Sequence, residues 1–263
     1  MFLLLLFLSF ATSTVGSISG IGGGIILKPV LDAATTYDVS VINFLSSCTV
    51  LSMSILSLIK RPPDRTTIDK RRGIPLAMGA AIGGLLGKYL FSAWLNAVAD
   101  TSHVATLQSI VLSLLTLGVI VYIKKKNKLR SPNLQSGTVC TLLGMVLGVM
   151  SSFLGIGGGP INVAAISFFL GMDMKSTALH GLLVIMTSQA CGLSSTIVTG
   201  NMPTIDYYML FPMITGAAVG ASLGSRISIR MTNDSIEKLF EFVLVLVLLI
   251  SGRNAIANLI NFG

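Results

Sequence analysis

Long apolar stretches separated by short polar loops run the length of the chain. Six of them, 40–59, 74–95, 103–123, 175–199, 205–227 and 237–259, are unbroken. A membrane-spanning helix takes about 20 apolar residues, so each is predicted to cross a bilayer. Charge bounds these runs instead of interleaving with them, and a helix that is apolar all round belongs in lipid or in a large core. Two further stretches, 1–34 and 137–171, are equally apolar but interrupted. Each carries the same five letters, GIGGG, at 20–24 and again at 155–159. The piece after the second interruption, 157–171, would reach only about 22 Å at 1.5 Å per residue, short of the ~30 Å hydrocarbon core. Each interrupted stretch is therefore predicted to be a hairpin that enters and returns on one side, with its glycine turn at membrane depth.

Composition settles the class. Of the 263 residues, 52% are hydrophobic and 11% charged, and the mean hydropathy is +0.85. No soluble core of this size hides so many apolar helices, so the fold class is all-α, a polytopic integral membrane protein whose first partner is the lipid bilayer. The opening run MFLLLLFLSFATSTVG resembles a signal peptide but lacks a basic start, and is read as a mature helix. The net charge of +8 does not point to nucleic acid, because the basic residues lie in short loops between apolar segments. Six fall in 60–72 and five in 124–130; with Arg226, Arg230, Lys238 and Lys175 they make fifteen of the eighteen. Segments 35–40, 96–103 and 199–206 contain no Lys or Arg. The positive-inside rule places the basic loops in the cytoplasm of a plasma-membrane protein with both termini outside. The helix after the first glycine block then ends inside and the helix after the second ends outside, so the halves are predicted to be inserted upside down relative to each other.

The repeat extends beyond the glycine blocks. GAAIGGLLG at 79–87 matches GAAVGASLG at 216–224, and Asp38 aligns with Asp173 at the same spacing of 135 residues that separates Gly20 from Gly155. The expected organisation is two inverted-topology repeats, 1–123 and 137–263, each a glycine-broken hairpin plus three transmembrane helices, joined by a basic cytoplasmic linker, 124–136. Inverted repeats are a recurring plan of secondary transporters, with the substrate at the midplane between the halves.

Glycine costs about 1 kcal/mol against alanine inside a helix, so four in five positions need a reason. Irregular backbone survives at membrane depth only inside protein or against a wet cavity. Glycine permits positive φ and close approach to the backbone. Each block also opens a new half-helix with unpaired N–H groups and a positive dipole end, and Pro160 suits the first turn of the second one. Two such ends meeting from opposite faces would make an anion cradle, built from Gly20, Gly22, Gly23, Gly24, Gly155, Gly157, Gly158 and Gly159.

This doubled GIGGG motif, each copy followed by an apolar half-helix with a GAAxGxxLG helix downstream, resembles the sulfite exporter TauE/SafE family, also called the toluene sulfonate uptake permeases. The resemblance covers about residues 8 to 255. It implies secondary transport of a small sulfur-containing anion such as sulfite, sulfoacetate or another short sulfonate, with the functional glycine loops at 20–24 and 155–159. The halves differ in detail, since Ile25 stands where the second has Pro160 and Lys28 where it has Val163.

Other polar residues lie at membrane depth. Lys28 is either an anion-attracting group, a partner of Asp32 at i+4, or a lysine reaching for the surface. Lys88 sits near the outer end of its helix, from where a lysine can snorkel to the interface. Asn43, Ser47 and Ser52 on the helix after the first hairpin, and Thr187, Ser188 and Gln189 on the helix after the second, offer neutral donors to an oxyanion. Hydroxyls of this kind also bond the preceding turn of their own helix. His180 is a possible proton relay, or a structural imidazole. Cys48, Cys140 and Cys191 are scattered. No catalytic constellation, metal-ligand cluster or P-loop occurs, so no enzymatic activity, metal or cofactor is expected. Two functions remain: a secondary transporter, or an anion channel passing the same solutes without alternating access. A membrane scaffold is disfavoured, because it needs no paired helix breaks.

Overall fold

The apolar stretches become ten α-helices in a computed structural model, which describes residues 2–35, 37–61, 68–97, 101–204 and 207–260. The interrupted stretches are the helix pairs α1 (Phe2–Ser19) and α2 (Gly24–Ala34), and α6 (Gly137–Leu154) and α7 (Gly159–Leu170). The unbroken ones are α3 (Val39–Ile59), α4 (Lys70–Ala97), α5 (Thr101–Lys125), α8 (Met174–Val198), α9 (Tyr207–Arg230) and α10 (Asn233–Ile260). Both breaks fall on the glycine blocks. Parts of the loops used to assign orientation, 62–67, 98–100 and 205–206, lie outside the described residues.

Among the described residues eight helices are long and apolar enough to cross a membrane. They include α1 and α6, so the arms of each hairpin are unequal. The first arms have 18 residues each and the second 11 and 12, or about 27 Å against roughly 17 Å. Large apolar side chains cover the outer surface, among them Leu86, Leu90, Leu249 and Phe211. Tyr207 and Tyr208 are exposed at the first turn of α9, where amphipathic rings suit the lipid headgroups.

The tightest packing joins helices from different halves. A Cβ at Gly79, Gly83 or Gly87 of α4 would overlap the carbonyls of Thr141, Met145 and Val149 of α6, and Gly144 and Gly148 return the same contact toward Leu76 and Ala80. On α9, Gly216, Gly220 and Gly224 lie equally close to the carbonyls of Leu6, Phe10 and Thr14 of α1. In both pairs the partner number rises by four as the glycine number rises by four, so the helices run parallel. Without a hydrophobic drive between helices in lipid, close backbone contact of this kind carries association. The repeated segments 79–87 and 216–224 are thus packing surfaces, and the partner of each is the first hairpin arm of the opposite half. Pro75 and Pro212 stand at matching places near the starts of α4 and α9.

An apolar cluster packs against the two breaks. Ile18, Ile21, Ile25 and Ile156 from the two breaks pack with Leu112 and Val119 of α5 and Phe240, Val243 and Val247 of α10. This layer holds the two glycine turns against each other.

Candidate functional site at the paired glycine turns

Backbone geometry explains the glycines one by one. Gly20 and Gly22 have φ of +73° and +90°; Gly155, Gly157, Gly158 and Gly159 have +65°, +77°, +86° and +53°. These are left-handed conformations that side chains resist. Gly23 departs from the expectation of positive φ. It caps α2 with φ −65° and ψ −22°, and its constraint is space: a Cβ there would lie 3.1 Å from the backbone N and Oγ of Ser13.

The turns seat on the same places with the halves exchanged. Gly20 abuts the backbone of Ala178 on α8, and Gly155 abuts the side chain of Asn43 on α3; Asn43 and Ala178 are themselves 135 residues apart. Likewise Gly22 meets Ile185 and Gly157 meets Val50. The blocks also touch each other. A Cβ at Gly24 would lie 2.7 Å from the carbonyl of Ile156, and one at Gly159 would lie 2.8 Å from Cδ1 of Ile25. Two helix beginnings, α2 and α7, therefore converge at the centre of the molecule.

Around them stand polar atoms with no partner among the described residues. Both amide atoms of Asn43 and of Asn162, and the hydroxyls of Ser13 and Ser46, are buried and unbonded. Each lies against one glycine: Asn43 at Gly155, Asn162 at Gly158, Ser13 at Gly23 and Ser46 at Gly24. The N–H of Gly23 donates only to the thioether sulfur of Met53, at 3.3 Å, a weak acceptor. Native proteins bond nearly all their buried polar groups, so a cluster of orphans calls for an explanation. Amide and hydroxyl donors directed at two helix beginnings are what an oxyanion requires.

The cations near the turns bind helix ends. Lys28 Nζ donates to Gln108 Oε1 and to the carbonyl of Leu154, the latter at 2.9 Å, while Gln108 Nε2 donates to the carbonyl of Phe153 at 2.8 Å. Both close the last turn of α6, where a cation also matches the negative dipole end. The ion pairs among the described residues are Arg72–Asp69 and Lys126–Glu237, so Lys28 and Asp32 are not within 4 Å. Both instead line a small cavity with Gln108 and Ser109. The end of α1 is treated alike: Arg61 Nη2 donates to the carbonyl of Ser17 at 2.7 Å and to Ser228 Oγ at 3.3 Å.

The remaining sequence candidates divide into two groups. Ser188 and Gln189 converge on the last turn of α6, with Ser188 Oγ 3.0 Å from Ser151 Oγ and Gln189 Nε2 3.1 Å from the Ser151 carbonyl. Ser47 is buried one turn along α3 from Asn43. By contrast, the Ser52 and Thr187 hydroxyls bond carbonyls of their own helices, Cys48 at 2.9 Å and Leu183 at 3.0 Å. Thr187 lies in an apolar groove beside Ile74 and Met78 of α4. His180 Nδ1 donates to the Ser176 carbonyl at 2.8 Å, and its buried Nε2, facing Gly73, has no partner among the described residues. Sequence reading passed over Ser13, Gln108 and Asn162. Asn162 left a signal, an amide alone in the apolar run from Pro160 to Ile166.

Comparison with known proteins agrees with this architecture. The sequence model of the family described as Sulfite exporter TauE/SafE matches residues 5–251. The chain is 22% identical over 269 residues to "Probable membrane transporter protein YunE" of Bacillus subtilis (strain 168), covering 94% of this chain and 95% of that protein. It is 26% identical over 160 residues to "Probable membrane transporter protein YdhB" of the same organism, covering 60% and 63%. No solved structure matches the chain significantly. A family match from near the first residue to near the last, on a bundle of eight membrane-length helices, leads to one conclusion: the chain belongs to the TauE/SafE sulfite exporter family of membrane transporters.

Proposed function

We propose that the protein is a secondary transporter of a small sulfur-containing anion, sulfite, sulfoacetate or another short sulfonate, bound between the two glycine turns. The observation that carries this reading is the set of buried, unpartnered amides and hydroxyls of Asn43, Asn162, Ser13 and Ser46 against the glycine blocks. Each converging helix start brings roughly +0.5 of charge. Neutral donors around them match oxygens arrayed on one central atom, whereas a cation site would need carboxylates or helix C-termini. Glycine contacts demand a compact head group, and a short tail can extend from it. Family membership narrows the anion to sulfur chemistry.

The two halves, 1–123 and 137–263, act as inverted repeats about the basic linker 124–136, in a plasma membrane with both termini outside. Contacts that recur with the halves exchanged, and the parallel pairs α1 with α9 and α4 with α6, support that arrangement. Radiolabelled sulfite or sulfoacetate uptake into proteoliposomes tests the substrate, with sulfate, acetate and taurine as competitors. Accumulation above the external concentration is expected for a carrier. Transport of sodium or a neutral solute, unaffected by any sulfur anion, would overturn the reading.

A further inference from the structure

A second cation deep in the molecule is not part of the turns. Lys88 is 8% exposed, and its ammonium stands 5.3 Å from the centroid of the Phe91 ring. Among the described residues no carboxylate lies within 4 Å of it. The position near a helix end suggests a lysine reaching outward, but the side chain instead lines a cavity of about 250 Å³ between the starts and ends of α3, α4 and α8. Among the described residues Lys88 is the only charged one in its lining, and Ser40, Ser92, Asn96, Thr196 and Asn201 add neutral donors. The cavity opens on the side of the 199–204 loop, whose Asn201, Met202 and Pro203 form part of its wall.

Two files of polar residues lead from this cavity toward the second glycine turn. On α3, Ser40 lines the cavity and Asn43, one turn further, abuts Gly155. On α8, Thr196 lines the cavity and its hydroxyl bonds the Gly192 carbonyl one turn back, at 3.1 Å. Gly192 lies against Ser152, and Ser188 and Gln189, a further turn back, bond Ser151. Ser151 and Ser152 belong to the last turn of α6, directly before Gly155.

We infer that this cavity is a vestibular anion site, in which Lys88 receives the sulfonate or sulfite head group before it passes to the glycine turns. The inference deepens the proposed function and rests on it for the identity of the anion. An ammonium held in a recess with donors, and with no acid among the described residues, selects small anions by charge, and one positive charge binds them weakly enough to release them inward.

The test places a thiol beside the lysine. Ser92 is one helical turn from Lys88, so S92C is made with Cys48, Cys140 and Cys191 replaced by alanine. The purified protein in detergent is then labelled by two methanethiosulfonates of similar size, an anionic ethylsulfonate and a cationic ethylammonium. The anionic-to-cationic rate ratio is expected to fall about tenfold on Lys88→Gln, the effect of removing one unit charge roughly 6 Å away in a partly solvated site. Lys88→Arg should preserve the ratio. Sulfoacetate should slow labelling with Lys88 present and not with Lys88→Gln. If Lys88→Gln does not fold, Asn96→Asp at the exposed rim serves instead and should lower the ratio while Lys88 remains. A ratio unmoved by either substitution overturns the site. Uptake is measured in parallel. Sulfur-anion uptake with a ratio independent of Lys88 overturns the vestibule alone. A ratio dependent on Lys88, with no uptake of any sulfur anion, upholds an anion site and overturns the proposed function.

Discussion

At the scale of single residues, the orphaned amides separate function from stability. Leaving a buried polar group without a partner costs about 1–3 kcal/mol, so Asn162→Leu should hold or raise the melting temperature while transport falls at least tenfold. A thermal-shift assay paired with proteoliposome uptake checks both, and a destabilised variant with normal transport would count against a binding role. The glycines should split by conformation. Alanine in the left-handed region costs roughly 1–2 kcal/mol, so Gly158→Ala should lower the melting temperature by several degrees and abolish uptake. Gly23→Ala, at φ −65°, should be tolerated better. For Lys28, the single change to Met should destabilise the protein by removing the closure of α6, and adding Asp32→Leu should not restore transport, because the ammonium bonds Leu154 and Gln108. Recovery in the double variant would instead mark Asp32 as the partner that matters. Lys28 was conspicuous in the sequence as a charge at membrane depth. Its partners were not, since they lie 80 and 126 residues away and a backbone carbonyl leaves no trace in composition. Asn162 was missed for a different reason: a lone amide in an apolar helix reads the same whether it glues two helices or faces a ligand.

At the scale of helices, the sequence was most informative where a single element carries the signal. Runs of apolar residues marked the spans, and GIGGG marked the breaks, because each follows from the chemistry of the segment itself. The matching segments at 79–87 and 216–224 are rich in small residues, which suit close helix contact without naming what they touch, since any helix backbone can approach a glycine. Structure supplies the partners, and they make a sharp comparison. Gly83→Leu should drive α4 off α6, because the added side chain would occupy the carbonyl of Met145; overpacking of this kind costs about 1–3 kcal/mol or more. Gly118→Leu on α5, where nothing lies within 4 Å of the added Cβ, should be silent. Melting temperature and monodispersity on size exclusion distinguish the two, and equal behaviour would remove the packing argument.

At the scale of the whole molecule, orientation rests on charge and is open to direct test. Cysteine probes in 62–70 and 126–134 should label from the cytoplasm, and probes in 96–102 and 200–205 from outside. Finding 62–70 and 200–205 on the same side would undo the inverted arrangement. Charge asymmetry between loops is what the orientation is argued from, whereas the interlocking of halves was not legible in the sequence, because it depends on which of several similar apolar faces meet. That interlocking bears on how the protein is made. The glycine face that receives α1 belongs to α9, whose first residue is Tyr207. At about 5–20 residues per second, roughly 200 residues of further synthesis take roughly 10–40 s. During that interval the nascent first arm has α2 and α3 beside it, but its face toward α9 meets only lipid or the insertion machinery, while α6 meets a finished α4 as soon as it is made. The first-born helix is thus among the last to have its glycine-packed face covered. Two separately expressed fragments divided in the 124–136 linker should each be degraded alone and should survive when made together.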